Sequence, residues 1–400
     1  MTTTKTGPAR RPISSGEPAS RKVLVSAYFP LPFNLEGVGT LVFGLARCLA
    51  EQGWRVRVLA SAGTRVPDHG RGLDGVLSYS RGVTGWWSYV RTLRRETRPD
   101  ETVLWVENNP NMAWLGSLAL GTSRGCWYFY SPLQTLGLIP ALGWSFQALA
   151  HALTKNSTWS RLQSWRRRRC MVATKYQARQ LERLKAGAVT VNPAVPLPAD
   201  FARVSRPEAR HRLGWDERPV AGYLGHFTPA KGVGTLLRAF SRLAVVDPAP
   251  VLALAHSGGG RLGAADAALL ETLRGTGRVR EAGVTDPAVF LAACDSVILP
   301  YPSASIHHPP LVLFESYAAA TAVLTTDVGG VAEMVRPGET GTLVSPGDEE
   351  ALTAAIGRLL ADLPACHDQG RRANAWFRER LSQGPFTAGL ADFLLQKDGR

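Results

Sequence analysis

From residue 22 the chain alternates short runs of continuous apolar residues with longer amphipathic stretches. "KVLVSAYFP" reads as a strand, "LPFNLEGVGT" as a glycine-bearing loop, and "LVFGLARCLAEQG" as a helix with Leu41, Leu45, Cys48 and Leu49 on one face. Gly53 stops that helix and "WRVRVLA" is the next strand. "ETVLWVE", "RGCWYFY" and "CMVATK" predict three more strands. "NPAVPLPADFARVSRPEARHRLG" is proline-rich and lacks a strand pattern, so it reads as a linker. The alternation then restarts. "PVAGYLG", "VLALAHSG", "DSVILPYP" and "AVLTTD" predict strands, and "GVGTLLRAFSRLA", "DPAVFLAAC", "LVLFESYAAA" and "LTAAIGRLLAD" predict helices. "NAWFRERLSQGPFTAGLADFLLQ" predicts one or two terminal helices. Strand–helix alternation of this kind implies βαβ units and parallel sheets. The fold class is therefore α/β, with two doubly wound, Rossmann-like domains facing across a cleft. The divisions fall at 1–20 (a basic tail), 21–195 (a first domain), 196–217 (the linker), 218–372 (a second domain) and 373–400 (C-terminal helices). In such sheets ligands bind outside the carboxyl ends of the strands.

Composition changes the picture in three places. With 400 residues and 45% apolar content the chain can bury two cores. Its five cysteines are scattered, odd in number and free of any Cys-x-x-Cys pair. That argues against a disulfide framework or zinc site and for a reducing, cytoplasmic setting. Residues 1–20 carry Thr, Pro, Ser, Gly and basic residues without the apolar stretch of a signal peptide, and read as a disordered tail. The net charge of +14 is concentrated: residues 1–22 contribute +4 and residues 155–185 contribute +9. The rest is close to neutral, which is not the spread basic surface of a nucleic-acid reader. "SWRRRRC" reads first as a solvated helix end complementing its own dipole.

Four motifs occur in one order: "EGVGTLVFGLARCLAEQGWRVRVLA", "YLGHFTPAKGVGTLLRAF", "HHPPLVLFESYAAATAVLTTDVGGVAEMV" and "GETGTLVSPGD". Together they resemble the GT-B glycosyltransferases of glycosyltransferase family 4, over the chain from residue 22 onward. The resemblance implies an acceptor-binding first domain, a second domain that binds a nucleotide sugar, and a retaining transfer. Glu315 matches the second glutamate of the family's Glu-x7-Glu motif, which clamps the ribose; a carboxylate can accept charge-assisted hydrogen bonds from both hydroxyls. Lys231 matches the lysine that neutralises the diphosphate. The donor set implied by the resemblance also holds Gly37, Gly39, Gly225, His226, His307, Leu311, Gly329 and Gly330. Glycine turns let backbone amides approach phosphate oxygens, and helix N-termini add positive potential. The plainer readings are a helix-start charge for Glu315, loop surface for Lys231 and ordinary turns for the glycines.

The sequence departs from the family pattern at several positions. The first glutamate of Glu-x7-Glu is replaced by His307, followed by His308, Pro309 and Pro310, and proline has no N–H to offer a sugar. His226 stands where an arginine is usual, giving an imidazole in place of a charged fork. In "WYFYSP" Tyr130 occupies the place of a histidine beside the transferring sugar, and Glu107 is a further polar group on the acceptor side. Lys231, Glu107 and Tyr130 are the candidate catalytic residues. The resemblance implies that the donor diphosphate itself takes the acceptor proton. The protein then supplies positioning and electrostatics. No metal and no cofactor are implied, since lysine and helix dipoles offset phosphate charge.

Between Arg124 and Lys155 no charged residue occurs. Pro132, Pro140 and several glycines break the stretch, which argues against a membrane span. Three readings compete: buried acceptor-domain structure, an apolar acceptor pocket, and peripheral contact with the inner face of the plasma membrane. The last draws on Trp144, Phe146, Trp159, Trp165 and the run Arg166 to Arg169. The expected partners are a nucleotide sugar and a small-molecule, glycan or lipid-linked acceptor, with a membrane surface under that third reading and no nucleic acid. A GT-B protein without catalysis, partnering an active transferase, is the alternative that the departures keep open.

Overall fold

The computed structural model describes residues 21–26, 37–64, 72–80, 85–107, 125–129, 169–183, 187–198, 201–244, 248–256, 260–283, 285–302 and 310–396. Two parallel sheets organise them. The first contains β1 (Lys22–Ser26), β2 (Arg55–Ser61), β3 (Gly75–Tyr79), β4 (Glu101–Glu107), β5 (Gly125–Phe129), β6 (Cys170–Val172) and β7 (Val189–Val191). Their order is β3-β2-β1-β4-β5-β6-β7. Helices α1 (Gly37–Glu51) and α2 (Gly85–Glu96) lie on opposite faces, and α3 (Lys175–Arg183) follows β6. Val23 and Val25 of β1 pack with Val42, Leu45 and Leu49 of α1, while Leu24 packs with Tyr89 and Leu93 of α2. A strand buried on both faces has no polar alternation, which is why the central strands read as unbroken apolar runs.

Helix α4 (Arg206–Leu213) leads into the second sheet. That sheet comprises β8 (Val220–Leu224), β9 (Val251–Ala255), β10 (Val279–Gly283), β11 (Ser296–Leu299), β12 (Ala322–Thr326) and β13 (Thr342–Val344), ordered β10-β9-β8-β11-β12-β13. Its helices are α5 (Val233–Ser241), α6 (Ala264–Gly275), α7 (Pro287–Ala293), α8 (Leu311–Ala318), α9 (Glu349–Ala361) and α10 (Leu363–Trp376). After a five-residue π-turn, Phe377–Leu381, the chain forms α11 (Gln383–Leu395). This helix crosses to the other domain: Phe386, Leu390, Phe393 and Leu394 join the core built on β1 and α1. The outgoing and returning segments run together, with Val195 N–H donating to Leu381 O at 2.8 Å and Gln383 N–H to Leu197 O at 2.9 Å.

Two sequence expectations change. The stretch 196–217 contains α4, started by Ser205 with proline in its first turn and ended by Gly214 at φ 66°. Proline there marks a helix start rather than a linker. Arg210 of α4 is buried and donates to Asp295 at 2.8 Å, which ties the segment to the second domain. Gly37 and Gly39 lie in the first turn of α1 rather than in a loop before it.

Candidate functional site

The site residues of the second domain gather at the carboxyl ends of its central strands. Beyond β8 the chain turns through Gly225 and His226, and the Tyr223 hydroxyl donates to His226 O at 2.8 Å. The Phe227 and His256 rings stack at 4.3 Å, fixing the base of this loop against the end of β9. A 3-10 turn, Pro229–Lys231, then leads through Gly232 into α5. Gly232 has φ 73°, and a Cβ there would stand 1.8 Å from Pro300 O. Only glycine lets this loop lie on the end of β11. The Lys231 Nζ consequently sits 5.5 Å from the centre of the Tyr301 ring.

Glu315 approaches from the other side. It lies in α8, whose Leu313, Phe314 and Tyr317 are buried, and the Tyr317 hydroxyl donates to Met334 O at 3.0 Å. Burial pushes the Glu315 carboxyl up to about 7, and the charge of Asp286 adds to the rise. Tyr301 is raised far above the ordinary tyrosine value by burial first, with the Tyr223 and Glu315 charges adding to it. Tyr301 thus has the Lys231 ammonium over its ring and lies within reach of the Glu315 charge. Among the described residues no hydrogen bond reaches that carboxylate. A half-buried acid without a hydrogen-bond partner, on the same sheet edge as a lysine-bearing loop, is what a polyhydroxy, diphosphate ligand would satisfy.

The glycine pair after β12 divides its work. Gly329 takes a left-handed conformation at φ 54°. A Cβ on Gly330 would meet the side chain of Thr174, in the first domain, at 2.6 Å. Leu311 is the first residue of α8, half-buried behind Pro310. His307, Tyr130 and the side chain of Glu107 lie outside the described residues. The backbone of Glu107 ends β4, paired with Phe129 of β5. Among the described residues no group of three His, Cys, Asp or Glu is placed to hold a metal ion. Sequence reading missed Asp286, Tyr301, Thr174 and Glu333. For Tyr301 a signal existed, an aromatic directly after the strand in "VILPYP"; the others act through tertiary contacts.

Sucrose-phosphate synthase from Thermosynechococcus elongatus superimposes with a TM-score of 0.72 over 93% of this chain and 98% of its own, at 20% identity. Residues 218–362 match the family described as glycosyl transferases group 1. The fold is that of the GT-B glycosyltransferases. An Anabaena GT-B neighbour, HepE in complex with UDP-glucose, gives a TM-score of 0.71 at 16% identity, covering 93% and 99% of the two chains. Among curated sequences, a D-inositol 3-phosphate glycosyltransferase of Stackebrandtia nassauensis is 32% identical over 200 residues. That alignment takes in 46% of this chain and 43% of the relative, so the match spans less than half the relative's length.

Proposed function

We propose that the protein is a retaining glycosyltransferase that moves a sugar from a nucleotide-diphosphate donor to a secondary-metabolite, envelope-glycan or lipid-linked acceptor, working in the cytoplasm. The observation that carries this is that Lys231, in the turn after β8 and 5.5 Å from the Tyr301 ring, and Glu315, on the helix after β11, follow neighbouring strands of the second sheet. Glu315 accepts from the two ribose hydroxyls, and the lysine ammonium faces the diphosphate. The N-terminus of α5, directly after Lys231, adds its dipole to the same phosphate groups. The leaving diphosphate gathers negative charge as the glycosidic bond breaks, and these fixed positive groups stabilise it. No cofactor enters the scheme; the nucleotide sugar is a substrate. The named activity of the Stackebrandtia relative supports glycosyl transfer, and the UDP-glucose held by the Anabaena neighbour supports the donor class.

Calorimetric titration against a panel of nucleoside diphosphates tests the reading. One base should bind saturably, and Glu315→Ala should weaken it at least about tenfold, the worth of a charge-assisted hydrogen-bond pair. Lys231→Ala should weaken the diphosphate and leave the bare nucleoside unaffected. Absence of saturable binding by the wild-type protein, or unchanged affinity in Glu315→Ala, ends the proposal. Transfer seen only when a second transferase is added would assign the chain the role of a partner.

A further inference from the structure

The amides that begin α3 are shared between two domains. An α-helix leaves its first N–H groups without partners inside the helix. At α3, Thr174 supplies one remedy from its own domain, its hydroxyl accepting the Gln177 N–H at 3.1 Å. The two preceding amides turn elsewhere. Lys175 N–H and Tyr176 N–H donate to the two carboxylate oxygens of Glu333, each at 2.7 Å. Glu333 belongs to the second domain, in the 3-10 turn Ala332–Met334 that follows Gly329 and Gly330. The Arg179 guanidinium lies 3.7 Å from the same carboxylate. Thr174, the residue that caps α3, is also the residue that Gly330 leaves room for.

We propose that Glu333 is a positioning residue, a capping carboxylate supplied by one domain to a helix of the other. It holds the Gly329-Gly330 turn against the end of β6 and so fixes the spacing at which donor and acceptor meet. Both partners sit at the carboxyl ends of their sheets, Thr174 just beyond β6 and Glu333 after β12. The bond is charge-assisted and aligned with the helix dipole, which favours the joined state. The Glu333 side chain stays 25% exposed, so water can replace the amides when the domains part. That makes the contact a reversible latch. Its catalytic consequence rests on the glycosyltransferase reading above; the latch itself does not.

All five cysteines are buried. Spin labels on Glu182→Cys in α3 and Glu350→Cys in α9, both exposed positions, therefore report the distance between domains in the whole chain without ligand or turnover. Glu333→Ala should lengthen and broaden that distance distribution. Glu333→Gln, which keeps one acceptor oxygen, should change it less. Lys175→Pro removes the first amide at a helix position that proline favours, and should shift the distribution in the same direction. Combined with Glu333→Ala it should add little, as two halves of one interaction do. In turnover, Glu333→Ala should lower kcat about tenfold and change the donor KM by less than about twofold, the pattern of lost positioning. An unchanged distribution in Glu333→Ala, or full additivity of the two variants, overturns the proposal. A wild-type protein without transferase activity would remove the donor-site reading and leave the distance test standing.

Discussion

Under the proposed ribose role Glu315 should carry opposite pH dependences in folding and in binding. Its carboxyl is raised to about 7 by burial and by Asp286, against 4.5 ordinarily. The native state therefore holds this proton longer than the unfolded chain does. The group's contribution to stability is fully present below the ordinary value and is lost as pH rises through about 7. Under the proposed ribose role the ionised form binds, so affinity should climb over the window in which that contribution fades. Titrating the protein with a nucleotide sugar, whose diester phosphates hold no proton in this range, should show the affinity rising from about pH 6 to about pH 8. Glu315→Gln should bind weakly and with a flatter profile; an unaltered slope in that variant would assign the titration to another group. Glu315 and Lys231 stand out in the sequence because each sits in a short local motif. Thr174 and Glu333 do not, since what they touch is brought close only by the fold, Glu333 meeting amides 158 and 157 positions away.

At the scale of elements, the loop between β8 and α5 depends on one backbone position. Gly232→Ala would force a side chain into a left-handed conformation and against Pro300 O. We expect a loss of about 2–4 kcal/mol in urea unfolding, from the conformational and overpacking costs together. The same variant should weaken diphosphate binding by displacing Lys231, so a stable variant of unchanged affinity would contradict the described geometry. The central strands β1, β4, β8, β9, β11 and β12 were readable from their apolar runs. The sheet edges were harder: β3 alternates half-exposed and exposed positions before its buried end, and β10 ("VREAG") carries charge and only half-buried or exposed residues. Such short, half-polar segments resemble loops in sequence and become strands only when a neighbour offers its ladder. The linker concealed α4 for a related reason. Its prolines suggest a break, while the bond from Arg210 to Asp295, 85 residues away, supplies the anchor that holds the helix in place.

For the whole molecule, the informative feature is the return of α11 to the first domain. Phe386, Leu390 and Phe393 are fully buried there, and the Tyr128 and Phe386 rings meet edge-on at 6.1 Å. Phe386→Ala should cost about 3–5 kcal/mol, the usual range for a buried phenylalanine. Calorimetry should show the loss in the transition of the first domain, although the residue follows the second in sequence. A loss confined to the second domain would be inconsistent with this packing. Sequence periodicity identified terminal helices and could not say what they cover, because an apolar stripe does not name its partner. Nothing local distinguishes α11 from α10, which stays with the second domain and packs against α8.

Chain order and core order therefore disagree. A ribosome delivers β1 to β7 early, yet the phenylalanines that close their apolar face emerge only after the whole second lobe. Until then the nascent first lobe presents an unfilled greasy groove beside α1, the kind of surface that chaperones hold and that neighbouring chains stick to. The half of the protein that is made first is the last to be finished.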